Sequence, residues 1–195
     1  MDSLLALTAF AIATSATPGP NTLMVSAAAA RAGLGAVVPH MLGITLGFPA
    51  MLVAIAAGLG WPFQAFPWLH PALQVLGACW LAWLAWKIAA APPPDGRPAA
   101  PPLGFWGAAA FQWVNPKAWM IALAAVPAFT RPDAPLLPQA LGMAAAFALV
   151  SLPCLLLWAG LGLGARRLLA TPERLRAFNR VMAVLLVLSL VPAFL

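Results

Sequence analysis

Two short stretches carry most of the chemistry that this sequence offers. Thr17-Pro18-Gly19-Pro20-Asn21 interrupts one apolar run, and Asn115-Pro116-Lys117 interrupts another. Thr and Asn are good helix N-caps, and proline is favoured at the first helical position. A proline inside an apolar run also ends the helix before it. Each stretch therefore predicts a helix that stops and restarts. A restarted helix exposes free N–H groups and the positive end of its dipole, a natural seat for a carboxylate. Lys117 adds a charge about 13 residues from either end of its apolar run. That is roughly 20 Å of helix on each side, more than a lysine stem of about 6 Å can span. A charge so placed in a bilayer costs at least about 2.5–3.5 kcal/mol, so it is expected to face a watery cavity. Gln112, one turn before the second break, is placed to hydrogen-bond into the same cavity. The expected binding set is Thr17, Pro18, Gly19, Pro20, Asn21, Gln112, Asn115, Pro116 and Lys117.

The elements that must position these residues follow from composition. Only 14 of the 195 residues are charged, hydrophobic residues make up 64%, and mean hydropathy is +0.94. Fourteen charges cannot clothe a soluble domain, whose charged fraction is about 25%. An integral membrane protein with room for at most six spans of about 20 residues is expected. The apolar runs fall at about Leu4–Ala30, Val37–Gly60, Leu69–Ala90, Leu103–Phe129, Gln139–Gly164 and Phe178–Leu195. All are expected to be helical, because backbone polar groups in lipid need partners within their own segment. With no basic segment before it, the first run does not resemble a cleavable signal and is expected to remain as a span.

A proline-rich linker, Pro92 to Pro102, divides a single membrane domain (1–195) into halves of about 1–91 and 103–195. Three spans per half reverse the second half's direction, so the expected fold is all-α, two inverted three-helix repeats. The first helix of each half is the broken one. Thr17-Pro18 and Asn115-Pro116 lie 98 residues apart, nearly half the chain. Paired broken helices at matching positions are the sequence mark of a transporter binding site. Loops after odd-numbered spans hold Arg31, Lys87, Arg97, Arg166, Arg167, Arg174, Arg176 and Arg180, whereas the other side holds only Arg131. That asymmetry predicts cytoplasmic odd-numbered loops and both termini outside. Trp61, Trp68, Trp86 and Trp106 fall at expected interfaces.

The net charge of +6 is explained by this loop bias, with no module for nucleic acid. Asp95, Asp133 and Glu173 fall in loops and Asp2 is terminal, which excludes a membrane-embedded acidic proton relay. Cys79 and Cys154 are far apart and read as packing residues. An intramembrane thiol carrier, which needs redox cysteines at the breaks, and a metal-ion transporter, which needs acidic or histidine clusters, are the rival classes. An enzyme is not expected, and neither cofactor nor metal is implied. His40 reads as an interfacial histidine or part of the access route, and His70 as solvated. Thr14, Ser15 and Thr45 are expected to bond their own helix backbones. Gly43 and Gly47 form a GxxxG face suited to close helix contact within the fold or in a homo-oligomer.

At these residues the chain resembles the LysE/RhtB family of bacterial amino-acid exporters over essentially its whole length. Thr17-Pro18-Gly19-Pro20-Asn21-Thr22, Arg31-Ala-Gly33 with Leu42-Gly43-Ile44-Thr45-Leu46-Gly47, and Asn115-Pro116-Lys117-Ala118 are similar to its motifs. The resemblance implies secondary efflux of amino acids across the bacterial inner membrane, coupled to an ion gradient, with protons the expected ion. No GxxxxGK[ST] phosphate loop occurs, in agreement with a gradient rather than ATP. Trp83-Leu-Ala-Trp86-Lys87 and Phe105-Trp106 with Phe111-Gln112 look similar to the branch exporting cysteine and O-acetylserine. Many members carry an acidic residue in span two or span five. The corresponding positions here are Phe48 and Ser151, both neutral, which points away from cationic substrates and towards small neutral ones.

Overall fold

The computed structural model describes residues 2–59, 61–90, 102–168, 171–189 and 191, and every regular element among them is helical. The first apolar run forms two helices, α1 (Asp2–Ala16) and α2 (Pro20–Ala32). Then come α3 (Leu34–Ala54), a π-helical segment at Ile55–Leu59, the short α4 (Trp61–Ala65) and α5 (Leu69–Ala89). The second half contains α6 (Phe105–Phe111), a 3-10 turn at Gln112–Val114, α7 (Pro116–Phe129), α8 (Leu136–Leu168) and α9 (Pro172–Leu188). Linker residues 92–101, with Asp95 and Arg97, lie outside the described residues, as does the His70 side chain.

Among the described residues, three stretches are long and apolar enough to cross a membrane: Leu34–Leu59, Pro71–Ala89 and Leu136–Ala165. The pieces Leu4–Ala16 and Pro116–Phe129 are apolar but shorter, as expected of interrupted helices. The last helix differs from expectation. It begins at Pro172 rather than near Phe178, so Arg174, Arg176 and Arg180 lie on a helix rather than in a loop. Its start is set by Thr171, whose hydroxyl accepts the Arg174 amide at 3.4 Å, with Pro172 as first helical residue. Apolarity marked only the helix's second half. Backbone bonding carries it further, because arginine is a good helix former.

Whether a proline breaks a helix here depends on the residue before it. Pro39, Pro49, Pro127 and Pro153 follow Val38, Phe48, Val126 and Leu152, and all four lie inside helices. Pro20, Pro116 and Pro172 follow Gly19, Asn115 and Thr171, and all three open helices. Asn115 and Thr171 can cap a new helix with their side chains, and Gly19 does so only with help from the Thr22 hydroxyl, whereas a large apolar residue offers no such cap.

The packing interleaves the halves. α8 lies against α1, α2 and α3, α3 also packs on α6, and the third long helices of the halves, α5 and α9, pack on each other. α2 turns into α3 through Gly33 alone, whose φ of 82° is open to glycine at little cost. The GxxxG face is spent inside the fold. A Cβ on Gly43 would strike the Phe105 carbonyl oxygen, and one on Gly47 would lie 2.6 Å from the Ala109 Cα. Trp61, Trp68, Trp86 and Trp106 are all exposed.

Gly43→Ala is expected to force α6 off α3 and cost about 1–3 kcal/mol. Gly142→Ala, on a helical glycine with open space around it, is expected to raise stability by about 0.5–1 kcal/mol. Thermal unfolding of the two variants in detergent checks both signs.

Candidate functional site

The two helix breaks meet in space, and Lys117 joins them. From the second residue of α7, its Nζ donates to the Thr17 carbonyl oxygen (3.0 Å), the Thr17 hydroxyl (2.8 Å) and the Pro18 carbonyl oxygen (3.4 Å). An ammonium has three protons, so its donor capacity is filled. These acceptors are orphan carbonyls left where α1 ends, and the charge sits at the negative end of that helix's dipole. The indole Nε1 of Trp158 on α8 donates to a further orphan, the Ala16 carbonyl, at 3.2 Å. Gly19 has extended backbone that any residue could adopt, but its missing side chain matters. A Cβ there would lie 2.9 Å from both Cδ and Nζ of Lys117.

The break at Thr17 therefore differs from expectation. Thr17 is not the N-cap of α2. The residue before a proline is disfavoured in helical conformation, so Gly19 before Pro20 stays extended and becomes the cap, moving the start to Pro20. The Thr17 hydroxyl donates back to the Thr14 carbonyl oxygen at 3.1 Å and accepts from Lys117. Thr22 does part of the capping instead. Its hydroxyl accepts the Gly19 amide at 2.9 Å and donates to the Gly19 carbonyl oxygen at 3.0 Å. Pro20 has no amide, and the Asn21 and Thr22 amides meet no protein acceptor among the described residues. Two free donors thus remain at the N-terminus of α2.

The second break is closed on itself. Asn115 is a true N-cap whose Oδ1 accepts the Lys117 amide at 3.2 Å. Its carbonyl oxygen accepts from the Ala118 and Trp119 amides at 3.0 and 3.2 Å. With Pro116 lacking an amide, the α7 terminus offers no spare donor. The two N-termini are therefore unequal, contrary to the matched pair that the sequence suggests.

Asn21 and Gln112 clasp one another across the halves. Asn21 Nδ2 donates to Gln112 Oε1 at 2.9 Å, and Gln112 Nε2 donates to Asn21 Oδ1 at 3.2 Å and to the Ala108 carbonyl oxygen at 2.9 Å. Gln112 is fully buried, and so is unable to hydrogen-bond with bulk water. Beside this clasp lies a cavity of about 60 Å³, room for a few water molecules. Thr14, Ser15, Gly19 to Thr22, Asn115 and Lys117 form its polar side, and Ile44, Phe48, Ile121, Phe147 and Leu155 its apolar side. Gln112 sits behind Asn21 rather than in this lining. Phe48 and Ser151, the positions where the resemblance suggests an acidic residue, both line the cavity. The Phe48 ring meets Phe147 edge-on at 5.0 Å. Thr14 bonds its own helix at the Phe10 carbonyl as expected, whereas the Thr45 hydroxyl, expected to do the same, is buried without a partner. Cys79 is exposed on α5, Cys154 is buried on α8, and both are free.

Phe147 and Trp158 are the contributors that residue types and spacing did not announce. Both sit within a long apolar stretch where any aromatic residue reads as packing. Trp158 offers a weak signal, as an indole N–H deep in an apolar helix needs an acceptor.

A pair of broken helices meeting beside a small, mostly apolar cavity, within a bundle of apolar helices, is the architecture of a membrane translocator. The chain belongs to the LysE type translocator family, which it matches over residues 12–189. It is accordingly a transporter and not an enzyme. Among curated proteins it is 30% identical over 186 residues to the "cysteine/O-acetylserine efflux protein" of Escherichia coli (strain K12). It is equally similar to those of Salmonella typhi and Salmonella paratyphi A. Each alignment covers 95% of this chain and 94% of the relative. No solved structure matches.

Asn115→Ala is expected to cost about 1 kcal/mol through loss of the cap. Asn115→Asp, which keeps the acceptor, should hold stability near wild type. Thermal unfolding in detergent distinguishes the two.

Proposed function

We propose that the chain exports small neutral amino acids or their derivatives from the cytoplasm, with cysteine and O-acetylserine as the first candidates. The observation that carries this reading is the N-terminus of α2. Among the described residues the Asn21 and Thr22 amides meet no protein acceptor, and both residues line the cavity that Lys117 also lines. Free amides at the positive end of a helix dipole suit a carboxylate. Lys117 supplies positive potential beside them. Direct contact with the carboxylate requires it to release one of its bonds to Thr17 or Pro18. Binding substrate thus loosens the link between the two breaks, which ties occupancy to movement.

The cavity wall speaks to the rest of the substrate. No carboxylate lines it, so nothing balances a second positive charge, and Phe48, Phe147 and Leu155 favour an uncharged side chain. Its small volume favours a short one. Asn115 acts by holding the α7 terminus and the Lys117 backbone in place, and Thr17 by holding the ammonium. Pro18, Pro20 and Pro116 fix the breaks, Gly19 leaves room for the lysine stem, and the Gln112–Asn21 clasp orients the α2 terminus. The names of the similar efflux proteins support the same substrate class.

The fold is proposed to hold six spans in two inverted repeats within the inner membrane, both termini outside. The pairing of α5 with α9 and the reciprocal packing of α3 on α6 and α8 on α1 support the repeat. Efflux is proposed to draw on the proton gradient. Reporter fusions at both termini should score periplasmic, and cytoplasmic scores would reverse the orientation.

The central test is efflux from bacteria overexpressing the chain and loaded with a dipeptide panel, with the medium assayed for every amino acid. One or a few small neutral amino acids should accumulate outside, and an uncoupler should stop it. Lys117→Ala and Asn115→Ala should each reduce the rate at least tenfold with the protein still in the membrane. Wild-type efflux from both variants would remove the site assignment.

A further inference from the structure

A second cavity, of about 250 Å³, lies at the far end of α2, between α2, α3, α5 and residues Pro102 and Leu103. Measured alike, it is about four times the size of the central one. α2 runs from one to the other: Asn21 faces the first and Arg31 the second, ten residues or about 15 Å of helix further on.

The lining of this outer cavity is cationic and unbalanced. Arg31 and Lys87 both line it. Among the described residues neither meets a carboxylate, since Asp133 pairs with Arg131 and Glu173 with Arg176. Each sits in the last turn of its helix, where a cation offsets the dipole. That accounts for their placement but not for His40. The His40 imidazole is 1% exposed, lines the same cavity, and has no hydrogen-bond partner on either ring nitrogen. A buried, unpartnered polar ring costs stability unless something fills the space beside it. Trp80 and Trp83 form an aromatic wall, their ring centroids 5.1 Å apart. Lys87 Nζ already lies over the Trp83 ring at 4.1 Å.

These groups select among ligands. Two cations with no acid beside them among the described residues favour a ligand of net negative charge over a zwitterion, whose ammonium would be repelled. A guanidinium pairs with a planar carboxylate through two parallel hydrogen bonds. The imidazole supplies one donor and one acceptor, and the indole wall takes an apolar portion. The cavity is open on the side of Trp80, Trp83 and Lys87, all exposed, so a small molecule can enter it from outside the bundle.

We propose that the outer cavity is a second binding site, for a small monoanionic carboxylate without a free ammonium, of the N-acylated amino-acid class. Arg31 holds its carboxylate, His40 its amide and Trp80 its carbon skeleton. This site is separate from the one between the breaks and stands whether or not the chain exports amino acids.

The test uses the full chain in phosphatidylcholine nanodiscs, titrated calorimetrically with N-acetylserine and compared with serine and inorganic phosphate. N-acetylserine should bind saturably and at least tenfold more tightly than serine. Arg31→Gln and Lys87→Gln should each weaken it several-fold or more, whereas Arg131→Gln at the other end should not. Lys87 is exposed, so its substitution leaves folding intact even if Arg31→Gln does not. Absence of saturable binding, equal binding of serine, or unchanged binding in both cation variants would overturn the proposal. So would loss of N-acetylserine binding on adding phosphatidylglycerol, with phosphate competing, which would identify the occupant as a lipid headgroup.

Discussion

The structure around the site depends on one ammonium group and the carbonyls it satisfies. α1 ends at an exposed break, where its last carbonyls have lost their helical partners. Lys117, one hundred residues on, supplies donors to Thr17 and Pro18, and Trp158 takes Ala16. An unpaired ammonium there would be as costly as the unpaired carbonyls, so each excuses the other. The glycine at position 19, the stop at Thr17 and the position of α7 against α1 all follow from routing a lysine stem to that point.

A consequence is that the two breaks, alike in sequence, are chemically unequal. α7 closes its own terminus with Asn115, while α2 borrows the Thr22 hydroxyl and keeps two amides unused. The breaks meet through Lys117 and through the Asn21–Gln112 pair. The inequality leaves unpaired amides at the start of α2 and none at the start of α7.

Much of this was legible in the residues. The breaks at Thr17–Asn21 and Asn115–Lys117, the extent of α5, and the positions of Phe48 and Ser151 follow from cap residues, proline and apolar runs, or from family likeness. The partner of Lys117 did not, because its acceptors are mostly backbone carbonyls, which carry no residue-type signature. The Asn21–Gln112 clasp lay half in view: both residues stood out, but pairing over 91 positions is a tertiary fact. The start of α9 was hidden for a different reason. Hydropathy reads a helix's surroundings rather than its hydrogen bonds, and the Thr171-Pro172 cap was the better guide.

The Asn21–Gln112 clasp has a kinetic meaning. It consists of two hydrogen bonds between uncharged amides, bridging the halves. Each such bond is worth about 0.5–1.5 kcal/mol net, so together they contribute about 1–3 kcal/mol. A link of that size, opened by itself, would be broken in roughly one molecule in six to one in 160. A salt bridge in its place, stripped of water, would have made the resting state far deeper. Neutral amides join the halves at this point by no more than a few kcal/mol, a link that thermal motion can open.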